Sequence, residues 1–277
     1  MTSTTSNTPA ESPAERDRRQ RKRVGFDSIA AQYDEIRPTY PPCLVTSMLD
    51  IAGARAGAPV LEVGCGTGQL TRDLSAHDIA LTAIDPGPSM IAIARTHTRS
   101  ADVRFEVTTF EDFDARGGSR RLIVSAAAFH WVDPDVWWTK SHTLLEDDGW
   151  LAVLDSDTQY DEPLQSALHE LWVRHSETGA AWATAPRVTM RDRFESSGYF
   201  TNVRHAAHVE SQRQAPRQIQ ALMETTATWL AYTQATREAF RADLNHVLSQ
   251  HREHVGATHT SSLWMGQRRP SEREATR

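Results

Sequence analysis

Gly64, Gly66 and Gly68 stand at alternate positions directly after the apolar run 60–63 and ahead of a helical segment. Glycines there permit a tight turn and close approach of backbone N–H groups to a ligand. Asp85 ends the next apolar run, 21 residues after Gly64. A carboxylate at that place accepts hydrogen bonds from both hydroxyls of a ribose. A glycine triplet alone is a weak signal. The triplet, its strand context and the acid together form a stronger one.

Two ligands suit this pattern, a dinucleotide and S-adenosylmethionine. Three features separate them. The spacing is G-x-G-x-G, whereas the dinucleotide fingerprint is G-x-G-x-x-G. Glu62 lies two residues before the first glycine, where it opposes a pyrophosphate but suits a ligand carrying an ammonium and a sulfonium. Two helical segments precede the first strand, whereas a dinucleotide domain often begins with the strand.

The surrounding elements are those such a loop requires. Phe26, Ile29, Ala30 and Tyr33 share one helical face, and Leu44, Val45, Met48, Leu49 and Ala52 share another. Short apolar runs then recur at 60–63, 79–84, 103–107, 122–124 and 150–154, separated by helical or loop segments. Ser89 is placed to cap the helix carrying Met90, Ile93, Ala94 and His97, and Asp133-Pro134 to open the helix that follows strand four. Strands alternating with helices imply an α/β fold: a mostly parallel central sheet with helices on both faces. Sites in such sheets form beyond the carboxyl ends of the strands. After Asp155 helical stripes dominate, with late strands expected over 199–209 and 260–267. Without a Gly/Ser linker, one elaborated domain is expected over 24–269. It divides into a core at 24–157 and a variable acceptor region at 158–258, flanked by a tail at 1–23 and another at 270–277. The six basic residues of 16–23 read as a solvated part of the first tail.

Glu62-Val63-Gly64-Cys65-Gly66-Thr67-Gly68 resembles the first motif of class I S-adenosylmethionine-dependent methyltransferases, and Asp85-Pro86-Gly87-Pro88-Ser89-Met90 their acidic second-strand motif. Phe26, Tyr33 and Arg37-Pro38-Thr39-Tyr40-Pro41 resemble the N-terminal signature of a small-molecule branch that includes trans-aconitate-type enzymes. Ala128-Phe129-His130-Trp131-Val132-Asp133 and Leu263-Trp264-Met265-Gly266-Gln267-Arg268-Arg269 resemble two further segments of that branch, the one after strand four and the last strand. The resemblance implies a Rossmann-like methyltransferase fold and S-adenosyl-L-methionine as methyl donor, with S-adenosyl-L-homocysteine as product. It also implies roles. Glu62, Gly64 and Gly66 hold the methionine part, with Cys65 a further cofactor contact in the same loop, and Asp85 binds the ribose. Met90 or Pro86 packs on the adenine. Thr109 and Phe110 stand where the family often has an Asp-Ala pair, so the Thr109 hydroxyl is expected to meet the adenine amine. Tyr33 and Arg37 line the cofactor pocket, Arg37 reaching the cofactor carboxylate. Ser125 and Ala126 pass close to the sulfonium.

Methyl transfer is an in-line displacement in which the protein aligns the nucleophile and excludes water. A carboxylate acceptor needs no base; a phenol or a protonated amine benefits from one. His130, just after strand four, is the base candidate, with packing beside Phe129 and Trp131 as the plainer role. Eight tryptophans mostly fill core, and a minority suits an apolar acceptor pocket. His246, His251 and His254 fall at helical spacing, where solvated histidines are far commoner than a zinc site, and no metal is expected.

The 277 residues carry a net charge of −6 and 39% hydrophobic residues, which argues for a globular fold and against nucleic acid as a partner. No apolar run is long enough to span a membrane, and two cysteines build no disulfide framework, so a cytoplasmic protein is expected. Two lysines among 30 basic residues suggest a GC-rich bacterial genome. The expected function is methyl transfer to a small hydrophobic metabolite of bacterial secondary metabolism, at a carboxylate or hydroxyl oxygen first. Carbon or nitrogen methylation, peptide carboxyl methylation, an NAD-dependent oxidoreductase and a non-catalytic binder are the alternatives.

Overall fold

A computed structural model describes residues 25–98, 103–176, 189–251 and 254–270. The expected tail at 1–23, nearly all of that at 270–277, and Trp182 lie outside the described residues. Two helices, α1 (Ala30–Ile36) and α2 (Pro42–Ala52), lead into β1 (Pro59–Val63). Then follow α3 (Thr71–Leu74), β2 (Ala80–Asp85), α4 (Pro88–His97), β3 (Val103–Val107), β4 (Arg120–Ala126), α5 (Pro134–Leu144) and β5 (Leu145–Tyr160). The second half adds α6 (Leu164–His175), α7 (Met190–Ser197), β6 (Phe200–Gln214), α8 (Pro216–Met223), α9 (Ala227–Ala231), α10 (Gln234–Ser249) and β7 (Val255–Arg268).

The seven strands form one sheet in the order β3-β2-β1-β4-β5-β7-β6. β1 to β5 are parallel; β7 pairs antiparallel with both β5 and β6. Val60, Leu61, Glu62 and Val63 are all buried, as a central parallel strand covered on both faces requires. One face packs on Leu44, Val45, Met48 and Leu49 of α2, the other on Phe110, Trp137 and Phe194. The chain goes from β1 outward to β3, then crosses to β4 on the other side. The strand order therefore reverses at β1, and the crevice for a ligand lies beyond its carboxyl end.

Both late strands exist and run longer than expected. Beyond the parallel part, Asp155 to Tyr160 of β5 still pairs with Ser262 to Ala257 of β7. On this extension Leu164, Leu168, Ile219, Trp229, Phe240 and Leu244 from α6, α8, α9 and α10 build a separate core. The variable region is thus a helical cap seated on an outgrowth of the same sheet.

Helix starts carry one agreement and one correction. Asp133 caps α5, accepting from the Asp135 N–H at 3.0 Å, with Pro134 in the first turn. At α4 the N-cap is Gly87, and Ser89 already lies inside the helix. Asp27, from before α1, supplies the cap: Oδ1 accepts from the Ser89 and Met90 N–H groups at 2.8 and 3.2 Å. A remote acid thus replaces the local hydroxyl.

Candidate active site

A cavity of about 300 Å³ opens beyond the carboxyl ends of β1, β2 and β4. It brings together Tyr33, Arg37, Glu62, Gly64, Cys65 and Gly66 with Asp85, Pro86, Met90, Thr109, Phe110 and His130. Of the site residues expected from the sequence, Ser125 alone does not reach it. Its side chain is fully buried and its hydroxyl donates to the Val63 carbonyl at 2.9 Å, tying β4 to β1. Ala126, Ala127 and Ala128 line the cavity in its place. Side chains alternate between strand faces, so a strand-end position does not reveal which neighbour meets the cavity.

The glycine loop is held by its own backbone. The N–H groups of Gly64 and Cys65 both donate to the Ile84 carbonyl, and that of Gly68 to the Cys65 carbonyl. The Gly66 N–H donates to Asp85 Oδ2 at 3.0 Å, and the Gly87 N–H to Asp85 Oδ1 at 2.8 Å. Gly64 has φ of +72°, and a side chain there would collide with the Ala128 methyl group. Gly68 has φ of +93° and abuts Ala94 of α4. Sequence reasoning expected N–H groups presented to a ligand. Four of them are instead engaged inside the protein, a poor cradle for a pyrophosphate.

Glu62 is 1% exposed and accepts the Thr71 hydroxyl on Oε2 at 2.7 Å. Burial pushes its carboxyl up to about 8; the Thr71 bond opposes that, and Asp85 and Asp73 add to it. Burial also raises the Cys65 thiol, reinforced by Glu62 and Asp85, so it stays protonated and packs as a small apolar group. Burial raises the Tyr33 phenol, Arg37 lowers it and Asp85 raises it. Phe26 lies edge-on to both Tyr33 and Trp131, each at 5.7 Å, closing an aromatic wall.

Two expected contacts are altered. Arg37 Nε donates to the Thr225 hydroxyl at 3.0 Å and its Nη2 to the Thr225 carbonyl at 2.7 Å. Its guanidinium thereby ties α1 to the helical cap, while Arg37 still lines the cavity. The Thr109 hydroxyl donates to Asp112 Oδ2 at 2.8 Å and accepts from the Asp112 N–H at 3.1 Å, so a local turn occupies it. Its backbone still lines the cavity next to the buried Phe110. His130 sits on the rim with its ring 4.6 Å from Trp131 and 5.8 Å from Phe129.

Sequence reading missed several lining residues. Asp155 and Ser156 follow the strand-five run, a place the strand-end rule marks; Tyr40 lay inside a quoted motif. Thr226 and Ala227 come from the cap and carried no signal. Among the described residues no cluster of His, Cys, Asp or Glu could hold a metal, and His246 lies on α10 while His251 and His254 follow it. No described helix is long and apolar enough to cross a membrane.

A family profile described as "Methyltransferase domain" matches residues 60–149, from β1 into β5. Those residues are a class I methyltransferase domain. An uncharacterized methyltransferase of Mycobacterium tuberculosis is 32% identical to this chain over 111 residues, 40% of this chain and 43% of that protein. Malonyl-[acyl-carrier protein] O-methyltransferase of Hahella chejuensis is 30% identical over 149 residues, 52% of each. The chain thus matches about half or less of the length of these relatives. A solved structure of a candidate type II methyltransferase from Anaeromyxobacter dehalogenans superposes with a TM-score of 0.60 at 20% identity, covering 85% of this chain and 99% of that one. The likeness reaches beyond the methyltransferase domain at the level of fold, into the part of the sheet that carries the cap.

Proposed function

We propose that this chain transfers a methyl group from S-adenosylmethionine to a small-molecule acceptor, and that residues 24–269 act as one unit. One unit is supported by β7, which is inserted between β5 and β6 and so completes the sheet that holds the cavity. The observation that carries the reading is Glu62. A buried carboxylate raised to about 8, with a hydroxyl as its partner, suits a cationic ligand, because a positive charge beside it restores the ionised form. The same carboxylate and the internally bonded loop disfavour a pyrophosphate.

When bound, the cofactor supplies a methyl group activated by positive sulfur and a neutral leaving group. The chain's residues do the rest. Glu62 holds the cationic end, and Asp85, already braced by two N–H groups, presents its remaining lone pairs to the ribose hydroxyls. Pro86, Met90 and Phe110 offer apolar surface to the adenine. Ala126 to Ala128 leave room where the two reactants meet. Tyr33, Phe26 and Trp131 exclude water, and the Arg37–Thr225 tie holds the cap over the opening. His130 stands on the rim as a base candidate oriented by its aromatic neighbours.

For the acceptor, an apolar metabolite suits this aromatic wall. Oxygen as the methylated atom has support in the Hahella relative, which is named as an O-methyltransferase. A carboxylate acceptor would meet Glu62, Asp85 and Asp155. Calorimetric titration of the full chain with S-adenosylmethionine, S-adenosylhomocysteine and NAD tests the reading. Binding of the first two, and weaker or no binding of NAD, is expected; the reverse order overturns it.

A further inference from the structure

A second cavity, about 350 Å³, adjoins the first, and the two share Asp155 and Ser156 as lining residues. Its floor is one face of the β5–β7 pair: Val153, Asp155 and Asp157 on β5 lie opposite Trp264, Ser262 and Thr260 on β7. Its walls are Phe129, from the turn after β4, and Met190 and Arg193 of α7. Phe129 and Met190 thus wall a floor on which Trp264 and Val153 stand beside polar side chains. Trp264 is held in place by the His205 ring, stacked at 4.0 Å.

Two opposite charges face this space without an ion-pair partner among the described residues. The Arg193 guanidinium lies 5.9 Å from the Phe129 ring, and no described carboxylate forms an ion pair with it. Asp155 accepts only the Ser156 N–H, at 2.9 Å, and no described cation pairs with it. Part of the Asp155 side chain reaches solvent; desolvation by the surrounding protein nevertheless lifts its carboxyl, the Ser156 bond opposes this, and Asp157 adds to it. Tyr40 approaches it from the first cavity, which Glu62 also lines. A carboxylate and a guanidinium in one concavity, neither ion-paired among the described residues, are complementary to a ligand bearing both charges. A purely anionic ligand would meet Asp155 and Asp157; a purely cationic one would leave Arg193 unused.

We propose that the second cavity is the acceptor site and takes a small zwitterion, an amino-acid-like molecule with an apolar body. Its ammonium meets Asp155 where the cavities join, its anionic group meets Arg193, and its body lies between Phe129 and Trp264. The inference rests on the methyl-transfer reading and makes nitrogen the methylated atom instead of the oxygen expected from the sequence. Asp155 takes one proton from the ammonium. The freed nitrogen lone pair forms the bond to the methyl carbon as the carbon–sulfur bond breaks, and that electron pair stays on sulfur as a neutral thioether. The product is an N-methylammonium, and the proton on Asp155 passes to solvent through the cavity mouth.

Three probes with similar bodies test this: L-phenylalanine with both charges, 2-phenylethylamine with the positive one, and 3-phenylpropanoate with the negative one. Each is titrated calorimetrically into the full chain saturated with S-adenosylhomocysteine. Phenylalanine is expected to bind at least tenfold more tightly than either other probe. Asp155→Asn and Arg193→Gln should each weaken it at least tenfold, Arg193→Gln with S-adenosylhomocysteine affinity unchanged. Ser262→Trp, which fills the cavity from its floor, should abolish phenylalanine binding and spare S-adenosylhomocysteine. Equal binding of the three probes, preference for 3-phenylpropanoate, no binding of phenylalanine, or indifference to the substitutions overturns the inference. A fall in S-adenosylhomocysteine affinity on Asp155→Asn assigns that residue to the cofactor and also overturns it. If S-adenosylhomocysteine fails to bind the wild-type chain, the methyl-transfer reading itself falls, a distinguishable result.

Discussion

Asp85 Oδ2 accepts the backbone N–H of Gly66 at 3.0 Å, so the acid that ends β2 braces the loop that ends β1. Its other oxygen holds Gly87, at the turn into α4. A residue read from the sequence as a ribose ligand is therefore also a strut. Asp85→Ala removes both functions at once. S-adenosylhomocysteine affinity should fall by about 1.5–3 kcal/mol for the lost charged hydrogen bonds, and the ligand-free chain should also melt at a lower temperature. Calorimetry and thermal melting check the two parts; unchanged affinity would remove the ribose role.

Glu62 predicts a pH dependence with a definite sign. Its folded carboxyl is raised to about 8, above the unfolded value. Between roughly pH 4.5 and 8 the folded state then binds more protons than the unfolded one, so the stability of the ligand-free chain falls as pH rises through that window. Glu62→Gln should flatten that fall, measured as melting temperature against pH. The same substitution should weaken S-adenosylhomocysteine. In the wild type, binding at pH 7 should release protons, seen as a dependence of calorimetric heat on buffer ionisation enthalpy. No release would argue against a cation beside Glu62.

Gly64 and Gly57 make a matched pair. Both have positive φ, +72° and +77°, but a side chain at Gly57 meets nothing within 4 Å, whereas one at Gly64 strikes Ala128. Gly57→Ala should cost about 1–2 kcal/mol from backbone strain alone. Gly64→Ala should cost clearly more and displace the Ala126–Ala128 edge of the cavity. Chemical denaturation of both variants decides; equal losses would mean that the loop tolerates the contact.

The Arg37–Thr225 tie spans 188 residues of chain and is expected to hold the cap closed. Arg37→Ala should leave the Thr225 carbonyl short of its donor, while the buried Thr225 hydroxyl keeps its bond to the Leu222 carbonyl, a loss on the order of 2 kcal/mol. Amide exchange should accelerate over 219–227 with little change in β1 to β4. Uniform acceleration would show a general destabilisation instead.

Legibility followed the range of the interaction. The parallel strands, the Asp133-Pro134 helix start and the glycine loop with Asp85 are local patterns, and each has its element in the structure. Local reading failed where a partner arrives from far away. Ser89 has the right type for a cap, but Asp27 reaches α4 first. Ser125 stands at the right strand end, but its hydroxyl is drawn to Val63. The bond from Arg37 to Thr225 was likewise invisible, because Thr225 is remote in sequence.

The sequence by itself determined the class of the cofactor half, because glycine spacing, strand rhythm and a strand-end acid are dictated by backbone geometry within a single β–α–β unit. It also determined that a carboxylate, Glu62, stands beside the loop. Tertiary structure alone decided that this carboxylate is buried and raised, that the loop's N–H groups are turned inward, and that Asp155 joins two cavities. Burial, charge state and shared walls depend on which distant elements pack together, and that is settled only when β7 enters the sheet between β5 and β6 and the cap closes over it.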